Sequence, residues 1–192
     1  MKSVVLASAS PRRQELLRQI GLNFEVVVKS VDETISGGIA PQEGVRELAF
    51  RKVKAVIDSN IAGIIIGADT VVVHQGNILG KPADFSDAVK TLRYLSGSEH
   101  LVITGFCIAD TFTGKSVTQS ETTRVFFREL TDKEILAYVN SGESTDKAGS
   151  YGIQGLGAVL VDKIDGCYFN VVGLPLTKLV LALKEFGIEV LV

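Results

Sequence analysis

The stretch LASASPRRQELL, residues 6–17, sets Ser8, Ser10, Arg12 and Arg13 around a proline suited to opening a helix. Two arginines in a first helical turn oppose the partial positive charge of a helix N-terminus, which ordinarily attracts carboxylates. The turn is therefore either simply solvated or built for an anion. A strand, a tight turn and a helix start together aim backbone N–H groups at phosphate. A guanidinium pair adds charge-assisted, bidentate contacts. The spacing is not that of a P-loop, because its glycines and closing Lys-Ser/Thr are missing.

Further along, IIIGADTVVV (64–73) sets an acidic residue between two apolar runs. A carboxylate there is costly to bury unless it is paired, metal-bound or at a strand end facing a cleft, which marks Asp69 as functional. Glu33, in VDET, is either a solvated loop residue or a second ligand for a divalent cation. Lys52 falls in the middle of an apolar helical stripe, where an ammonium either snorkels outward or meets a buried partner. Lys81, in GKP, is either a solvated turn lysine or an anion contact. Gln154 lies in the glycine-rich stretch DKAGSYGIQGLG (146–157), which lacks dinucleotide-binding spacing. A loop of that length in a compact domain is more often functional than idle, and the Gln154 amide offers both a donor and an acceptor to a base edge.

His74, in an expected hairpin turn, and His100, at a strand start, read as surface residues without neighbours at ligand spacing. That weighs against zinc and against a Ser-His-Asp scheme. Cys107 and Cys167 read as reduced, structural thiols. Two arginines, two or three lysines and two carboxylates, with no catalytic Cys or His, point to phosphate chemistry with a hard cation. Mg²⁺ or Mn²⁺ is held by a few carboxylates plus substrate phosphates.

These groups need elements to position them. SVVLA (3–7) reads as a buried strand; Ser10 is an N-cap, Pro11 a first helical residue, and Gly21 a stop. FEVVV (24–28) reads as a strand and residues 30–41 as a loop. A helix follows from near Pro41 to about Ser59, its face made by Val45, Leu48, Ala49, Ala55 and Val56. Residues 62–73 form one strand or a bent pair broken at Gly67, and HQGN turns into a short strand. Ala88, Leu92 and Leu95 mark a third helix. HLVITGFCIAD and KSVTQSETTRVFF read as long antiparallel strands. TDKE (131–134) is a capping box, and residues 174–187 form a final amphipathic helix. The expected class is α/β or α+β with one curved mixed sheet.

The 192 residues fit one domain, or two small lobes sharing a core, and 46% hydrophobic residues exclude a disordered chain. Twenty basic against 22 acidic residues, net −2, argue against broad attraction to nucleic acid or a membrane surface. No apolar run reaches the ~20 residues of a membrane span. The opening MKSVVLASASPRR has too short an apolar run for a signal peptide, so a cytoplasmic location is expected.

Taken together, LASASPRRQELL, VDET, GADTVVV, GKP, TGF, TTRVFFRELTDKEI, DKAGSYGIQGLGAVLV and NVVGLPL resemble the Maf family of nucleoside triphosphate pyrophosphatases. They occur in the family's order over nearly the whole chain. The resemblance implies a fold like the inosine triphosphate pyrophosphatases (Ham1), with a long curved mixed sheet, two lobes and a central cleft in a single domain. It also implies a cytoplasmic homodimer. The implied reaction is metal-assisted hydrolysis of a nucleoside triphosphate to the monophosphate and pyrophosphate. Asp69 would be the general base, or only a metal ligand. Glu33 with Asp69 would position the cation, and Arg13, Lys52 and Lys81 would grip the phosphates. GADTV and KAGSYGIQG match the branch acting on dTTP and UTP rather than the 7-methyl-GTP branch, which carries variants such as GSDQ and CAGSFKSEG. Arg12, Thr70 and Gln154 would then set specificity. Ala9 stands where the family often has glycine. The alternatives are a 7-methyl-GTP pyrophosphatase and a nucleotide-binding regulator of septum formation that does not turn over its ligand.

Overall fold

The structure, a computed structural model, describes residues 3–35 and 37–191, so Ser36 of the expected 30–41 loop lies outside it. In chain order, β1 (Val4–Leu6) leads through Ser10 into α1 (Pro11–Gln19). The Ser10 hydroxyl caps the helix by accepting the Arg13 N–H, and Gly21 ends it at φ +71°. Then come β2 (Glu25–Val26), α2 (Pro41–Ile57), β3 (Ile64–His74) and β4 (Asn77–Leu79). They are followed by α3 (Phe85–Leu95), β5 (Glu99–Asp110), β6 (Ser116–Phe127), α4 (Asp132–Asn140), β7 (Val161–Asp165), α5 (Tyr168–Val172) and α6 (Leu176–Lys184).

The seven strands form one sheet in the order β2-β1-β3-β5-β6-β7, with β4 paired to β3. β1 runs parallel to both β2 and β3, and the helical crossovers α1 and α2 supply the return that parallel neighbours need. β4 on β3 and β7 on β6 are antiparallel. β5 and β6 are neighbours joined only by residues 111–115, too short for a parallel crossover, so they too form a hairpin. The sheet is mixed, as expected.

Three expectations are adjusted. FEVVV is cut to Glu25–Val26, at the sheet's edge, where one neighbour supplies the only ladder and Val26 and Val28 stay exposed. Residues 62–73 are not a bent pair: a single strand passes straight through Gly67. The glycine-rich stretch contains two 3₁₀ turns, Ala148–Ser150 and Gly155–Leu160. The capping box is present, with Thr131 Oγ1 accepting the Glu134 N–H and Glu134 accepting the Thr131 N–H.

The chain divides into two compact units. One comprises the chain up to Asp69, Thr104–Glu121 and Gly173 onward; the other comprises Thr70–Ile103 and Thr122–Val172. β3, β5 and β6 each give part of their length to both. The first unit packs Ala49, Val53 and Val56 of α2 onto Val5, Ile65 and Cys107. The second packs Leu92 and Leu95 of α3 with Val125, Phe127, Ile135 and Tyr138. Among the described residues no helix is long and apolar enough to cross a membrane.

The two histidines correct the sequence reading. His74 and His100 are buried, not at the surface. His74 Nδ1 lies 2.9 Å from the Glu99 carbonyl, with its ring edge-on to Tyr94. His100 Nε2 lies 2.7 Å from the Tyr151 hydroxyl, with its ring edge-on to Phe127. Both rings serve as core aromatics with one polar tether each. Desolvation, with a smaller contribution from His74, pushes the His100 pKa down to about 3, so the ring is neutral.

Candidate functional site

β3 is buried along its length except at two consecutive residues, Asp69 and Thr70. The strand has a wall of isoleucines on one side and valines on the other, and it opens only there. α2 crosses the sheet in close contact at two glycines. A Cβ on Gly67 would sit 2.8 Å from the Ala49 carbonyl oxygen, and one on Gly105 would sit 2.4 Å from that of Val45. Neither position has room for a side chain, and this close seating carries Lys52 of α2 to Asp69. Lys52 Nζ donates to Asp69 Oδ1 at 2.6 Å and lies 2.7 Å from Glu33 Oε1. Of the two fates open to Lys52 in the sequence, the structure shows the second: its side chain is 13% exposed and paired.

Glu33 arrives on a loop held from α2. Arg51 Nη1 donates to the Asp32 carbonyl at 3.2 Å and to the Thr34 carbonyl at 3.1 Å, the residues flanking Glu33, while its Nη2 pairs with Glu47. The Asp32 side chain accepts the Thr34 N–H and closes a local turn, and hydrogen bonding from the Thr34 hydroxyl, then from that N–H, lowers the Asp32 pKa. Arg51 went unnoticed in the sequence, as did Gly105, and Gly67 was read only as a break in the strand, although a glycine interrupting an apolar strand is the signal for close backbone approach.

At the start of α1, Ser8 Oγ accepts from Arg13 Nη1 at 3.1 Å and from the Ser10 N–H at 3.3 Å. Arg13 Nε donates to the Gly173 carbonyl at 2.8 Å. The Arg13 guanidinium is thus buried and fixed in orientation. Burial lowers its pKa, the charge of Asp69 opposes that shift, Arg12 adds to it, and Glu33 opposes it again. Arg12 is half-buried one residue earlier. Ser8, Ser10, Arg13, Glu33, Lys52 and Asp69 all belong to the first unit.

Lys81, Thr70 and Gln154 belong to the second. Lys81 is exposed two residues after β4. Its preceding residue, Gly80, accepts the Gly149 N–H at 3.0 Å, tying the lysine's turn to the loop that carries Gln154. Gly149 itself has φ +69° and lies against Val72, where an added Cβ would meet Val72 Cγ2 at 3.0 Å. Gln154 is half-buried in extended backbone before the second 3₁₀ turn.

The Maf-like protein family matches residues 3–186. The chain belongs to the Maf family. A protein of Acetivibrio thermocellus named dTTP/UTP pyrophosphatase is 51% identical over 199 residues, covering 100% of this chain and 98% of its own length. One of Pelotomaculum thermopropionicum with the same name is 49% identical and covers 100% of both chains. Among solved structures, a HAM1 protein from Coxiella burnetii superimposes with a TM-score of 0.53 at 13% identity, covering 96% of this chain and 100% of that one. That likeness bears on the fold, and it agrees with the mixed sheet expected from the Maf motifs.

Proposed function

We propose that this Maf protein hydrolyses the bond between the α- and β-phosphates of dTTP and UTP, releasing the nucleoside monophosphate and pyrophosphate. CTP and modified pyrimidine nucleotides are the further candidates for the same site. The reading is carried by the Lys52 ammonium held between Asp69 and Glu33 at the one opening of a buried strand. Two carboxylates that converge on one cation suit a hard divalent ion as well. Among the described residues no group of three or more His, Cys, Asp or Glu could hold a metal alone. That fits an ion whose remaining ligands are phosphate oxygens and water. Asp69 and Glu33 would hold Mg²⁺ or Mn²⁺, which when bound supplies charge neutralisation on the phosphates.

Asp69 then accepts the proton of the attacking water. Lys52 and Lys81 take phosphate oxygens, as does Arg13 from its fixed position beside Ser8 and Ser10. Arg12, Thr70 and Gln154 read the base, the Gln154 amide pairing with the O4/N3 edge of a pyrimidine. A cytoplasmic homodimer completes the proposal, and Cys107 and Cys167, both free thiols, suit a reducing compartment.

The test is pyrophosphate release from dTTP, UTP, CTP, GTP and 7-methyl-GTP with Mg²⁺ or Mn²⁺, wild type beside Asp69→Asn. Turnover of dTTP and UTP is expected, with kcat falling roughly 10²–10⁴-fold in the variant, the usual contribution of a positioned base. Preference for 7-methyl-GTP would keep the reaction and overturn the roles of Thr70 and Gln154. Binding without turnover of any nucleotide would favour the regulator of septum formation.

A further inference from the structure

The segment that carries Gln154 is held at both ends by side chains of the α4 region. The Gly152 N–H donates to the Tyr138 hydroxyl at 3.1 Å. On the far side of Gln154, the carboxylate of Glu143 accepts two successive backbone N–H groups, Leu156 at 3.1 Å on Oε1 and Gly157 at 3.3 Å on Oε2. Between these anchors the chain closes on itself. A Cβ on Gly157 would fall 1.9 Å from the Gly152 carbonyl oxygen, and one on Gly155, at φ +62°, would fall 2.7 Å from Glu143 Oε1. The glycines are there because carboxylate and backbone already fill the space. The backbone of Glu143 is fastened in turn, since its carbonyl accepts from Lys147 Nζ. The Lys147 stem lies against Gly152, where an added Cβ would be 2.9 Å from Cε.

We infer that Glu143 is a specificity-positioning residue. Its carboxylate fixes the closed 152–157 segment and so sets the placement of the Gln154 amide against the pyrimidine edge. Glu143 does not touch the nucleotide; it acts through Gln154, and the inference rests on the reading of Gln154 as a base contact. A carboxylate is suited to the task because it is acceptor-only, with an oxygen for each of two adjacent N–H donors. An amide in its place would turn an NH₂ group toward one of them.

The experiment measures kcat and KM for dTTP and for GTP with wild type, Glu143→Gln, Glu143→Ala, Gln154→Ala and the double Glu143→Ala/Gln154→Ala, with a melting curve for each. A reacting or binding group misplaced by about 1 Å loses on the order of 10²-fold. Glu143→Ala is therefore expected to raise the KM for dTTP at least roughly tenfold and to narrow the dTTP-over-GTP ratio as Gln154→Ala does. Glu143→Gln should fall between, and the double variant should be no worse than Gln154→Ala alone. If Gln154→Ala narrows the ratio and neither Glu143 variant does, the positioning role is overturned while the base contact stands. If no variant changes the ratio, the base contact fails and takes the positioning role with it. If the Glu143 variants lower turnover of dTTP and GTP equally, or only the melting temperature, Glu143 is structural and the inference is overturned.

Discussion

Replacing Lys52 with methionine keeps the length and helix preference of the side chain and removes the ammonium. Two carboxylate oxygens at 2.6 and 2.7 Å from one nitrogen lie no more than about 5 Å apart. Without the nitrogen, two unit negative charges at that separation repel by about 3 kcal/mol at an effective dielectric of ~20. Asp69 is 15% exposed and stays in place, but Glu33 is 58% exposed and can swing into solvent. Screening and that movement reduce the net loss to about 1–2 kcal/mol. For a chain of this size the melting temperature should fall by roughly 3–6 °C. The chain has no tryptophan, so circular dichroism is the suitable probe. A cycle with Asp69→Asn isolates the pair: the double variant should recover part of the loss, with a coupling above about 0.5 kcal/mol. An unchanged melting temperature together with strict additivity would refute the view that Lys52 holds two carboxylates together.

Two further outcomes follow from packing. Unfolded His100 takes up a proton below its ordinary pKa of about 6.5, whereas the folded ring resists protonation down to about 3. Acid therefore favours the unfolded chain, and between those pH values the wild type should lose stability relative to His100→Gln at about 1.4 kcal/mol per pH unit; parallel stability-against-pH curves would contradict the buried, neutral ring. Gly105→Ala forces a Cβ against the Val45 backbone and should cost about 2 kcal/mol or more in denaturant unfolding. Gly37→Ala, with open space around it, should stay within about 0.5 kcal/mol, and equal effects at the two positions would show that α2 is not seated on that glycine.

Features governed by neighbours in sequence were legible. Ser10 with Pro11, and Thr131 with Glu134, announce helix starts because cap chemistry is complete within four residues. Asp69 stood out because its apolar flanks make a carboxylate anomalous wherever the strand ends up. Lys52 shows the boundary of such reasoning. Its place on an apolar face was readable, but its choice between water and a partner depends on how closely α2 approaches β3, which Gly67 and Gly105 decide. The histidines were misread for a related reason. A lone His carries no local mark of burial, and Tyr151, which meets His100, lies 51 residues away. Arg51 was passed over because its partners are backbone carbonyls, which no side-chain pattern records.

The bond from Arg13 Nε to the Gly173 carbonyl spans 160 residues. Chains leave the ribosome N-terminus first, at about 5–20 residues per second. The guanidinium at the start of α1 therefore waits while the next 160 residues are made before the peptide group that orients it arrives. The β1–α1 segment can fold early, but the Arg13 guanidinium is set only when the Gly173 stretch of the same unit arrives. A nascent or prematurely terminated chain would thus carry the motif without the oriented cation. The fixed orientation of Arg13 becomes, in effect, a mark that the chain has been made at least as far as Gly173.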